Sequence, residues 1–310
     1  MKKRKRGPVL FAILAAVILS GCGNNQTSSN DNKQTKLIVK NSDSSRTETI
    51  NYQTTYHNRK YNKQAIVYLP KNYHAKKKHN VLYLLHGSTE VRNGRSTFYN
   101  DGNFKRVLDN LSDQNKLKDT IVVFPTYYPS SQQVSSNYYD DNPLNRRFAK
   151  IELMNDLVPA VEKRYRTYAE NTSQAALEKS RNHRAFGGFS MGSITSWYVF
   201  QYDLPYFRYY LPMAGDSWTV TSDGGASEPR KTAQVLADEV KKYPKLKFKI
   251  MAGVGSGDGT SGSMTPQINA MWKLSEFNRT NLQYYTQPGG NHDAPTMARI
   301  VAHYADQLFS

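Results

Sequence analysis

From about Ile50 onward, strand signals and helix signals alternate along the chain. Residues 49–56 and 64–69 read as two strands of a hairpin around Asn58-Arg59-Lys60. Asn80-Val81-Leu82-Tyr83-Leu84-Leu85 and residues 120–124 are unbroken apolar runs, as expected of strands covered on both faces. Phe104, Val107, Leu108 and Leu111 fall at helical spacing, and residues 148–165 predict an amphipathic helix. Between them, residues 126–145 read as a polar loop rich in Tyr and Ser. Further strands are expected at 184–187, 209–214, 248–252 and 282–286. Helices are expected at 193–202, 232–243, 266–277 and 295–309. This order predicts an α/β fold, a mostly parallel central sheet flanked by helices. No internal repeat is visible, and no long helical insertion suggests a large lid.

The first residues carry a different signal. Met1-Lys2-Lys3-Arg4-Lys5-Arg6 is a basic region, and residues 8–19 form an apolar run. The pair reads as a secretory signal; the run falls short of the roughly 20 residues a spanning helix needs. It ends at Leu19-Ser20-Gly21-Cys22, which resembles a bacterial lipobox, so residues 1–22 are expected to be a lipoprotein signal with Cys22 lipidated. Two acyl chains would anchor the chain stably where one would not. Residues 23–48, rich in Asn, Ser, Thr, Gln and Lys, read as a polar tether, leaving a domain at 49–310. That domain has a length suited to one α/β unit. The expected location is therefore outside the cytoplasm, on the cell membrane.

Cys22 is the only cysteine, so the domain relies on its core without an intramolecular disulfide. The net charge is +17, of which five charges lie in the basic leader, leaving +12. An exported, anchored chain rarely meets nucleic acid, and the remaining basic residues are scattered. Nucleic acid is therefore not expected as a partner.

The chemistry centres on Gly188-Phe189-Ser190-Met191-Gly192, a G-x-S-x-G motif between an apolar segment and a helix-like run. A strand, sharp turn and helix is the context in which this motif presents a nucleophilic serine. The pentapeptide alone is a weak signal, and its standing depends on partners. A serine hydroxyl needs a base, and the base needs an acid to fix its tautomer. In a nucleophile-elbow fold the chain order is serine, acid, histidine. Only His292 and His303 follow Ser190. His303 lies in the expected closing helix, whereas His292 lies in the loop before it and is the candidate base. Asp258, after the penultimate strand, is the candidate acid. Asp216 is the rival acid, with lining of the pocket as its other reading; Asp293 adjoins the base in sequence and is a poorer choice. The Met191 N–H and a donor from Leu85-His86-Gly87-Ser88, taken as Ser88, would hold an oxyanion. His86 reads as a structural residue at the strand end. The sequence lacks zinc-ligand and P-loop spacings, so neither a metal nor a cofactor is expected.

These segments resemble the esterase D and feruloyl esterase-like branch of the α/β-hydrolases, which also contains mycolyltransferases and domains attached to xylanases. The resemblance rests on Tyr83-Leu84-Leu85-His86-Gly87, Asn155-Asp156-Leu157-Val158-Pro159, His183 to Gly192, Gly257-Asp258, Met264-Thr265-Pro266-Gln267 and Gly289-Gly290-Asn291-His292. It spans residues 64–309 and implies an α/β-hydrolase fold, a triad of Ser190, Asp258 and His292, and hydrolysis of feruloyl or acetyl esters on carbohydrate. Two departures stand out. Many members carry further glycines where this chain has Ser88-Thr89, and many have Gly-Thr-x-Asp where this chain has Gly255-Ser256-Gly257-Asp258. The expected partners are an ester-bearing carbohydrate or a small aryl or acyl ester, and the membrane through Cys22. Tyr127, Tyr128, Tyr138, Tyr139 and Trp218 fall in loops expected near the carboxyl ends of the strands, where ligands bind. Of these, Tyr127, Tyr128 and Trp218, with Asp216, are the candidate substrate contacts. Two other readings keep the fold: an acyltransferase acting on cell-envelope sugars, and a non-catalytic carbohydrate-binding lipoprotein.

Overall fold

The computed structural model describes residues 44–310 apart from residue 72. The expected signal, the lipobox with Cys22 and most of the expected tether lie outside the described residues. The strands are β1 (Arg46–Tyr56), β2 (Arg59–Leu69), β3 (Asn80–Leu85), β4 (Val91–Arg92), β5 (Arg95–Ser96), β6 (Thr120–Phe124), β7 (Arg184–Phe189), β8 (Tyr209–Met213), β9 (Lys249–Gly255) and β10 (Leu282–Gln287). Eight of them form one sheet in the order β1-β2-β6-β3-β7-β8-β9-β10, and β4 and β5 make a small separate hairpin. The β1–β2 and β2–β6 pairs are antiparallel, and every pair from β6 to β10 is parallel.

Sequence pattern accounts for this arrangement. β3, β6, β7 and β8 are buried along almost their whole length, because helices cover both faces of the parallel strands. β1 alternates buried and exposed positions, as an antiparallel edge strand with one wet face should. It begins at Arg46, inside the stretch expected to be tether, and pairs Thr47 with Tyr68 and Glu48 with Val67. Parallel strands all point the same way, so the loops that follow β3, β7, β8, β9 and β10 gather at one end of the sheet. The functional residues of an open α/β sheet sit at that end.

Two helices differ from expectation. A helix begins at Asn142, inside the expected polar loop, and continues to Arg164. Its middle, Phe148–Leu157, is wound as a π-helix. Glu152, in this stretch, points inward with Phe148, Ala149, Leu153 and Leu157. Glu152 is fully buried, accepts from Tyr52 Oη at 2.9 Å and Arg147 Nη1 at 2.6 Å, and pairs with buried Lys63. The helix expected at 266–277 runs from Ser261 to Met271, with Pro266 inside it.

The strand that carries the motif starts on a buried ion pair. Arg184 Nε meets Glu162 Oε1 at 2.7 Å, with side chains 2% and 1% exposed. The rest of the guanidinium donates to the Leu177 and Tyr206 carbonyls and the Ser180 hydroxyl. Glu162 also accepts from Thr167 Oγ1 at 2.7 Å. Replacing Arg184 with leucine would leave a buried carboxylate without its cation. The expected loss is about 3–5 kcal/mol of stability. In urea unfolding it should appear as a lower midpoint at an unchanged slope; a midpoint equal to that of the unsubstituted chain would contradict it.

Candidate active site

Ser190 sits between the end of β7 and the helix Met191–Asp203, with φ +54° and ψ −114°. That backbone conformation is strained for a residue with a side chain. The two motif glycines are explained by what surrounds them. A Cβ on Gly188 would run into the Gly192 backbone, and one on Gly192 would lie 2.5 Å from the Leu85 carbonyl oxygen. The turn therefore packs backbone on backbone and lifts the serine off the sheet. Ala214, which directly follows the neighbouring strand β8, also has positive φ, +55°.

His292 bridges to both partners. Its Nε2 lies 3.0 Å from Ser190 Oγ and its Nδ1 lies 2.9 Å from Asp258 Oδ2. An ionised carboxylate only accepts, so Nδ1 carries the proton and Nε2 is left free to accept from the serine. Asp258 is 2% exposed. Burial raises its pKa, but hydrogen bonds from His292, the Thr260 hydroxyl and the Thr260 N–H together hold it below the ordinary aspartate value. The loops carrying Asp258 and His292 are tied to each other. Gly257 N–H donates to the Gly290 carbonyl at 2.8 Å, and Gly289 N–H to Ser256 Oγ at 2.9 Å. Ser256, one of the departures in the acid loop, thus supplies one of these ties. Asp293 does not face the base: its Oδ1 caps the helix Ala294–Tyr304 by accepting from Thr296 N–H at 2.7 Å. His303 stacks on Tyr285 with ring centroids 3.6 Å apart.

A cavity of about 430 Å³ opens onto Ser190 and His292. Ser88 and Met191, the expected oxyanion donors, both line it, as do Ile194, Tyr138 and Trp218. Asp216 lines it too, but its oxygens are taken by Gly225 N–H at 2.7 Å and Trp218 Nε1 at 3.2 Å. Burial raises the Asp216 pKa. It braces the Trp218 indole, while the carboxylate on His292 belongs to Asp258.

Tyr127 and Tyr128 correct the sequence reading. Both are fully buried, and neither lines this cavity. Their hydroxyls donate to Asp141 Oδ2 at 2.8 and 2.6 Å. Their rings stack on His86, with centroids 4.8 and 5.9 Å away. His86 is itself buried between the Gly87 carbonyl and Thr126 Oγ1, and burial lowers its pKa to about 4, so the ring is neutral. The two tyrosines hold the His-Gly loop from behind. Of the exposed aromatics of the same loop, Tyr138 lines the cavity and Tyr139 stands behind it. Tyr139 stacks on Trp218 at 5.4 Å and donates to Asp223 Oδ2 at 2.7 Å, which braces the loop after β6 against the loop after β8. Asp223 and Thr260 were not picked out from the sequence. Thr260 had a readable signal, since Asp followed two residues later by Thr suits an Asx turn; Asp223 had none.

An eight-stranded, mostly parallel sheet with a serine on a strained strand-to-helix turn defines the α/β-hydrolase class. Residues 54–306 match the model of the family described as "Putative esterase", and the chain belongs to that family. Over 238 residues it is 34% identical to endo-1,4-beta-xylanase Y of Acetivibrio thermocellus. That match takes in 74% of this chain, which spans about one fifth (20%) of that relative. Among solved structures, a mutant feruloyl esterase module from Clostridium thermocellum, complexed with sinapinate, superposes with a TM-score of 0.72 at 30% identity, covering 85% of this chain and 88% of that one. A CE1 ferulic acid esterase from Anaeromyces mucronatus in complex with ferulic acid shares the fold, with a TM-score of 0.61 at 18% identity over 91% and 96% of the two chains.

Proposed function

We propose that the chain is a serine carboxylesterase that releases an aryl or acyl group from carbohydrate through a Ser190-His292-Asp258 triad. The observation that carries this is the His292 ring spanning Ser190 at 3.0 Å and Asp258 at 2.9 Å. In the first step Ser190 Oγ attacks the ester carbonyl while His292 Nε2 takes its proton. Asp258 stabilises the imidazolium, and the N–H groups of Met191 and Ser88 receive the oxyanion. Collapse passes the proton from His292 to the departing sugar hydroxyl and leaves the acyl group on Ser190. Water, deprotonated by His292, then attacks the acyl-enzyme and frees the acid and the serine.

The substrate reading draws on the cavity and on the relatives. Trp218, Tyr138, Ile194 and Met191 offer flat and apolar surface beside Ser190. Two structural relatives carry sinapinate or ferulic acid in their complexes. A fluorophosphonate probe is expected to label Ser190, mapped by peptide mass. Feruloylated or acetylated oligosaccharide is expected to yield the free acid. An unlabelled Ser190, or transfer of the acyl group to a second sugar without release of acid, would overturn the reading.

A further inference from the structure

The triad leaves one carboxylate beside it unused. Glu90 lies in the loop after β3, three residues beyond Gly87. Its Oε2 accepts the Gly87 N–H at 3.1 Å and its Oε1 accepts the Thr89 hydroxyl at 2.6 Å. Gly87 also packs closely against the nucleophile. A Cβ placed there would lie 2.5 Å from Glu90 Oε2 and 3.0 Å from Ser190 Cβ. A side chain at this position would have to push the Glu90 carboxylate aside and would press on Ser190.

We propose that Glu90 is a positioning residue of the esterase reaction. It withdraws the Gly87 N–H from the oxyanion site, which leaves Ser88 as the loop's donor, and it sets a negative charge on the far side of Gly87 from Ser190. The proposal rests on the hydrolase reading above and assigns a role within it. Relatives with more glycines after the His-Gly pair have a loop with more freedom than Ser88-Thr89 allows. Here a side chain fixes the loop instead. The neighbouring groups are consistent with this role. Burial holds the Glu90 pKa above the ordinary glutamate value; the Thr89 hydroxyl, its own N–H, the charge of His292 and the Gly87 N–H offset part of that rise, each contact favouring the carboxylate. The imidazole meets Asp258 from the loop after β9 and Ser190 and the Phe189 ring from the elbow, and the Glu90 carboxylate in the loop after β3 interacts with it through charge alone. Asp216 and Asp223 line the same cavity from the loop after β8. Asp293, next in sequence, is occupied at its helix cap.

Two variants separate the two parts of the role. Glu90→Gln keeps an oxygen that can accept from Gly87 but removes the charge. An anion favours the charged form of a nearby imidazole, and its removal favours the neutral, basic form. The acid limb of kcat/KM should then move down by about 0.3–1 pH unit. Glu90→Ala also frees the Gly87 N–H and the loop, and kcat should fall about 10-fold or more with KM within about threefold. An acid limb that does not move in Glu90→Gln, or an unchanged kcat in Glu90→Ala, overturns the proposal. If Glu90→Ala fails to fold, the pH profile of Glu90→Gln decides alone. Fluorophosphonate labelling of the unsubstituted chain is run alongside. A chain whose Ser190 takes no label overturns the hydrolase reading and this one with it, whereas a labelled chain with an unmoved limb overturns this one only.

Discussion

Replacing Ser190 with alanine is expected to lower kcat/KM on p-nitrophenyl acetate by at least ~10⁴-fold while leaving the fold intact. The turn makes this a clean test. Alanine keeps the Cβ, so the positive φ at this position (+54°) costs the variant no more than the serine. The glycines on either side and the Ser190 N–H bond to the Met213 carbonyl, at 2.9 Å, stay as they are. What disappears is the hydroxyl that accepts the acyl group and its 3.0 Å contact to His292. The cavity walls and the oxyanion donors are untouched, so substrate binding should change little. Any residual rate should be the ~10³–10⁴-fold over water that an oxyanion site and binding alone provide. Equal rates before and after the substitution would mean that the elbow serine takes no part in the chemistry. A melting temperature lowered by more than a few degrees would mean that the loss had another cause.

The sequence showed where the site lies more readily than what stands behind it. Backbone-driven features were legible: the unbroken apolar runs of β3 and β6, and the glycines of the elbow, which are there because no Cβ fits. Chain order singled out His292 and Asp258 because each follows a strand at the same end of the sheet. Buried polar groups were harder to read. Tyr127 and Tyr128 sit in a stretch whose composition suggests a wet loop. They are inside because Asp141, more than ten residues away, accepts both hydroxyls. Glu152 is a charge within a run that predicts an amphipathic helix, and it stays in the core because Arg147, one turn earlier, and Lys63, from β2, pair with it. A hydrophobic pattern records where apolar side chains point. It does not record that a charge has a partner brought close by the fold. Glu90 went unnoticed for the same reason, since its significance depends on how near Gly87 comes to Ser190.

The same dependence on partners decides the second large effect, Asp258→Asn, expected to reduce kcat about 10⁴-fold at neutral pH with the fold retained. One carboxylate oxygen, Oδ1, accepts from both the Thr260 N–H at 2.9 Å and the Thr260 hydroxyl at 2.7 Å. The other, Oδ2, accepts from His292 Nδ1 at 2.9 Å. An amide has one oxygen and one NH₂. The two Thr260 donors claim the oxygen, because an NH₂ turned toward the backbone N–H would face another donor. The NH₂ then points at Nδ1, which must lose its proton to accept, and the imidazole proton moves to Nε2. In that tautomer the ring offers Ser190 a donor where a base is required. Neither rival acid can take over readily: Asp216 is held by Gly225 and Trp218, and Asp293 by its helix cap. The tautomer can be read independently of rate, because the ¹⁵N shifts of His292 should show Nε2 protonated in the variant and Nδ1 protonated in the unsubstituted chain at a pH where the ring is neutral. A variant within tenfold of the unsubstituted kcat, or one whose His292 keeps its proton on Nδ1, would mean that Asp258 does not orient the base.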